Sequence, residues 1–80
     1  MTPSTAGLPA EALHRALSRV RQRYGLAWDE LADRLDISFR TLVRVMSAQT
    51  ITPVVADRMA IRLGLHPFVL WPDEWLAGAA

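Results

Sequence analysis

The chain has 80 residues, a net charge of +1, 51% hydrophobic residues and no cysteine, which bounds it to one domain with a small core that buries about 60–65% of the surface its unfolded form exposes. The missing cysteines exclude disulfides and thiolate chemistry and fit a reducing, cytoplasmic setting. So small a charge excludes a histone-like binder held by bulk attraction to phosphate.

Met1 to Leu8 is uncharged and carries Thr, Pro, Ser and Gly, the composition of a disordered lead-in over residues 1–8. It has no basic stretch followed by an apolar one, so no signal peptide is expected, and no apolar run in the chain approaches a membrane span. The domain is expected over 9–76, with a disordered tail at 77–80. Pro9 to Tyr24 reads as the first helix, with Pro and Glu11 suited to its first turn and Gly25 ending it. Leu13, Leu17, Val20 and Tyr24 form its buried stripe. Arg15, Arg19, Arg21 and Arg23 against Glu11 leave this segment at +3, a solvated basic face with Arg23 nearest the next motif.

Trp28 to Ser47, WDELADRLDISFRTLVRVMS, carries the strongest pattern. Leu31, Ala32 and Leu35 recur at helical spacing, and Leu42 and Val45 do so again after a break at Asp36-Ile37-Ser38. A three-residue break between short helices has the length of a helix-turn-helix corner. Ala32 lets the two backbones approach, Ile37 plugs the corner, and Ser38 caps the second helix. Phe39, Arg40, Val43 and Arg44 are left outside, where two arginines and two apolar side chains can meet base edges. Between Ile37 and Ala56 there is no acidic residue, as a surface facing phosphates requires.

On Leu31, Ala32, Leu35, Ile37, Leu42 and Val45 the chain resembles the Cro and repressor (XRE-type) helix-turn-helix regulators, from about Leu13 to Pro72. Two positions depart from that pattern. Asp36 replaces the usual corner Gly, at a strain of about 1 kcal/mol. Ala27 replaces the usual Ser or Thr cap, so a frayed helix start is expected. The resemblance implies an all-α, five-helix lambda-repressor-like domain with its helix-turn-helix at helices 2 and 3. It implies base readout by Ser38, Phe39, Arg40, Val43 and Arg44, with the arginines donating to guanine and Phe39 and Val43 pressing on thymine methyls. Phosphate contacts are expected from Arg23, Trp28, Thr41, Ser47, Gln49 and Thr50. Trp28 has two readings: its indole N–H reaches a phosphate, or it packs over the corner as outer core.

Ala48 to Thr52 reads as a short polar loop. Thr52 and Pro53 start a fourth helix with contacts from Val55, Met59, Leu63 and Ile61, and Gly64 closes it. The segment from His66-Pro67 to Trp71-Pro72 resembles the tail of Ner-like phage regulators; a fifth helix at Pro67–Trp71 and then a turn carrying Trp75 are expected. Phe68, Trp71, Trp75 and Leu76 either cap the monomer's core or form a homodimer interface. A dimer is expected because one helix reads only about three to five base pairs among ~10⁶ or more competing sites.

Catalytic chemistry is not expected. His14 and His66 lack Cys or carboxylate neighbours at ligand spacing, Asp73-Glu74 has no partner base, and no Gly-rich phosphate loop exists. The expectation is therefore a non-enzymatic, cytoplasmic phage or prophage-type regulator. It would occupy a double-stranded operator as a homodimer, with no cofactor, metal, membrane or small-molecule substrate. Two alternatives stand beside it: a protein-interaction module such as an antirepressor or antitoxin, and an excision-type architectural factor.

Overall fold

A short strand β1 (Leu8–Pro9) leads into helices α1 (Glu11–Tyr24), α2 (Trp28–Arg34) and α3 (Phe39–Ser47). Strand β2 (Thr50–Ile51) then precedes α4 (Pro53–Arg62), α5 (Pro67–Leu70) and α6 (Pro72–Ala79). The computed structural model describes residues 7–79, with side chains through Trp75. The chain is mostly helical, as expected, but the described residues form six helices where five were expected, and a two-stranded antiparallel ladder joins them. Leu8 lies opposite Ile51 and Pro9 opposite Thr50.

That ladder corrects two expectations. Most of the 1–8 lead-in lies outside the described residues, but Leu8 is core, 5% exposed against Ile51. Gly7, at φ 123°, permits the approach, since a Cβ there would sit 2.7 Å from the Ile51 carbonyl oxygen. The 48–52 loop is likewise half strand: Ile51 is buried, and the neighbouring Gln49 carbonyl accepts from the Ala10 N–H at 2.9 Å.

In α1, Leu13 and Leu17 are fully buried and Val20 packs at the core's edge. Tyr24, expected in that stripe, is 49% exposed. It lies in the last turn, where Gly25 (φ 62°) reverses the chain and the Leu26 N–H bonds back to Arg21. Its ring faces the guanidinium groups of Arg34 and Arg23 instead of the core. Ile61 of α4 is also exposed, because Ala56, Met59 and Ala60 form the buried face of that helix.

The C-terminal part departs furthest from expectation. Trp75 lies in α6, not in a turn, and the same helix takes in residues 77–79 of the expected tail. Trp71, expected at a dimer interface, is 1% exposed and its indole N–H donates to the Pro9 carbonyl at 2.8 Å. A buried Trp needs such a partner for its one polar group, and β1 supplies it. One side chain thus ties the two ends of the fold together.

Candidate nucleic-acid interface

The face in question is built on α2, the corner Leu35–Ser38 and α3. Ala27 cannot cap α2 with a side chain, but the start is not frayed: Glu30 Oε1 reaches back to accept the Ala27 N–H at 2.7 Å. Asp29 and Glu30 sit in the first turn of α2, where the helix dipole favours negative charge. Leu31 and Ala32 are buried, and the Ala32 carbonyl accepts from the Ile37 N–H at 3.0 Å, closing the corner. Asp36 adopts φ 59°, the left-handed conformation expected there. Ile37 is half-buried against the core.

A residue with no sequence signal braces this corner. Arg62, in the last turn of α4, donates through Nη1 to the Leu35 carbonyl (3.3 Å), the Asp36 carbonyl (3.3 Å) and Asp36 Oδ2 (3.1 Å). Its charge meets carbonyls otherwise left over at the end of α2. His14 makes a similar tie, its Nε2 donating to the Val45 carbonyl at 2.8 Å and joining α1 to α3.

Ser38 caps α3 as expected, accepting from the Thr41 N–H at 3.1 Å and donating to Thr41 Oγ1 at 2.8 Å. The hydroxyl expected to read bases is thus engaged within the helix start. Leu42 and Val45 turn inward at 1% and 4% exposure, while Phe39 and Val43 stand out at 51% and 45%. Arg40 and Arg44 are exposed on the same side, and neither enters an ion pair among the described residues. Ser47, Gln49 and Thr50 follow as exposed residues.

An apolar cavity of about 220 Å³ opens on this face, lined by Trp28, Phe39, Leu42, Val43, Met46 and Ser47. Met46 was not anticipated, though its spacing of three and four residues from Val43 and Leu42 places it on this side. Trp28 is half-buried in the wall, with the Arg21 guanidinium carbon 4.6 Å from its ring centroid. Of its two readings, packing is the one this geometry favours. Arg21 also donates to the Leu26 carbonyl at 3.2 Å. It, and not Arg23, is the arginine beside Trp28. Arg23 stands 5.8 Å from the Tyr24 ring and lines a different cavity, among α1, α2 and α4.

Of the expected dimer residues, Phe68 is 42% exposed, Trp75 is half-buried and Trp71 is core. The Leu76 side chain lies outside the described residues. Val69, not anticipated, is 61% exposed beside Phe68. The His66 ring caps α5, accepting from the Phe68 N–H at 3.0 Å, and meets Trp75 edge-on at 6.5 Å. Among the described residues no cluster of His, Cys, Asp or Glu could hold a metal, and no helix is long and apolar enough to cross a membrane.

No protein-family model, curated protein or solved structure matches the chain.

Proposed function

We infer that the chain is a sequence-specific, double-stranded DNA-binding regulator of the Cro/repressor type. It acts without catalysis, in a bacterial cytoplasm, by occupying an operator. The observation that carries this reading is the outer face of α3. A capped helix, braced by Arg62 at its corner, presents Arg40 and Arg44 beside half-exposed Phe39 and Val43. Arginine forks pair with guanine O6/N7, and apolar side chains press on thymine methyls. No carboxylate lies between Ile37 and Ala56 to repel phosphates. Selection of bound duplexes from a random pool tests the reading. A recurrent motif with guanine and thymine at adjacent positions is expected, and a pool that stays random refutes it.

The protein acts as a homodimer, so that two copies of α3 enter successive major grooves about 34 Å apart. Exposed Phe68 and Val69 on α5 are the surface for that contact. The apolar cavity beside Trp28 favours a second reading, a module that receives an apolar side chain of a protein partner. Absence of any duplex shift by pure protein at moderate salt would select it.

A further inference from the structure

On another side of the molecule a cavity of about 510 Å³ opens between α1, the end of α2 and the end of α4, and no α3 residue lines it. Arg19 and Arg23 enter from α1, Arg34 from α2 and Arg62 from α4. No carboxylate lines it. Tyr24 gathers two of the cations, with the Arg34 and Arg23 guanidinium carbons 4.0 and 5.8 Å from its ring centroid. Arg62 is paired with Asp36; Arg19, Arg23 and Arg34 enter no ion pair among the described residues. Val20, Leu35 and Leu63 supply apolar lining.

Four of nine basic side chains stand around one concavity in a chain whose net charge is only +1, and the three without an ion pair among the described residues repel each other. An anion removes that repulsion, and guanidinium forks bind phosphate or carboxylate through paired, charge-assisted hydrogen bonds. A concave site of this volume, partly apolar, has the dimensions of a small-molecule pocket. We propose that this cavity binds a small organic polyanion, two or more phosphate or carboxylate groups on an apolar body, as an effector. Arg62 gives the site its consequence. The guanidinium that lines the cavity also holds the Leu35 and Asp36 carbonyls at the corner before α3. A bound anion competes with Asp36 for Arg62 and changes the restraint on α3. This coupling rests on the DNA-binding reading; the anion site does not.

Calorimetric titration at about 0.15 M salt, where weak surface attraction is screened, with ADP, citrate and pyrophosphate separates the parts. ADP or citrate should saturate near one per chain, and whichever does so identifies phosphate or carboxylate as the recognised group. Pyrophosphate should bind more weakly than ADP; equal binding overturns the requirement for an apolar body. Arg23→Gln with Arg34→Gln keeps most of each stem and should weaken binding about tenfold or more. Arg19→Gln, which leaves the Tyr24 stacking intact, should give a smaller loss and serves if the double variant fails to fold. Arg40→Ala with Arg44→Ala should bind the anion like the parent. No saturable binding of any of the three anions, or unchanged binding in the arginine-to-glutamine variants, overturns the site. On a selected operator, saturating anion should shift the duplex affinity of the parent but not of the double glutamine variant; no shift in the parent overturns the coupling. Loss of duplex binding in the double glutamine variant as large as in Arg40→Ala with Arg44→Ala would make the cavity part of the DNA surface, which also overturns it. If no duplex binds at all, the DNA reading fails while the anion titrations still decide the site.

Discussion

Arg40 and Arg44 owe their availability to what surrounds them: exposed, outside any described ion pair, and flanked by side chains that carry no charge. If each is bidentate to guanine, Arg40→Ala and Arg44→Ala should each cost about 1–3 kcal/mol of specific binding. Helical content should stay at the parent level in circular dichroism. Unchanged operator affinity in both variants would remove α3 from the role of reading helix. Asp36 offers a cleaner test of the fold, because at φ 59° its backbone carries a cost that Gly avoids. The ion pair with Arg62 returns little, since the Asp36 side chain is 92% exposed. Asp36→Gly should therefore be at least as stable as the parent. Asp36→Ala should fall below Asp36→Gly by about 1 kcal/mol. Urea denaturation that ranks Ala equal to or above Gly would show that the left-handed corner does not govern stability.

Among the elements, α2 packs with Ala32 only 1% exposed, and the Ala32 carbonyl closes the corner that leads to α3. Ala32→Leu adds methylenes where the packing has no room, and should cost about 1–3 kcal/mol. A melting temperature equal to the parent's would place the tight packing elsewhere. Four of the helices meet the problem of unpaired N–H groups at their starts with side chains of three kinds. Ser38 and Thr52 cap α3 and α4 with hydroxyls, His66 caps α5 with a ring nitrogen, and Glu30 serves α2 from inside the helix. Of these caps Ser38 fixes the start of the proposed reading helix itself, and the His14 ring holds the Val45 carbonyl near its other end.

At the scale of the molecule, Trp71 closes the fold by joining the segment before α6 to β1. Trp71→Phe keeps an aromatic ring but leaves the Pro9 carbonyl without this donor. It should destabilise the protein by about 1–3 kcal/mol in thermal or urea unfolding. A variant as stable as the parent would mean that solvent replaces the bond without loss. Assembly is a separate matter, because Phe68 and Val69 project from α5 while Trp71 does not. Val69→Asp should leave the monomer's stability nearly unchanged, since the side chain is 61% exposed. In sedimentation it should shift a dimer to monomer, and on a palindromic operator it should reduce the gel-shift stoichiometry to one. A dimer that survives this substitution would place the contact away from α5.

Local chemistry made much of this protein legible in its residue order. Hydrophobic spacing marked the buried sides of α1, α2 and α3, and Ser38, Thr52 and Gly25 announced helix ends because their caps act within a few residues. Asp36 marked the corner in the same way. The departures arose where a residue's partner lies far along the chain. Leu8 is core because Ile51 pairs with it, Trp71 is core because Pro9 accepts its N–H, and Arg62 braces a corner 26 positions earlier. Tyr24 and Ile61 have helical positions compatible with burial, yet neighbouring elements leave their faces uncovered. Periodicity specifies which side of a helix is apolar; which apolar side chains find a partner is decided when the helices pack. The outer face of α3 could be read from sequence because it follows from spacing alone, whereas the arginine cavity draws on three helices and exists only after they have come together.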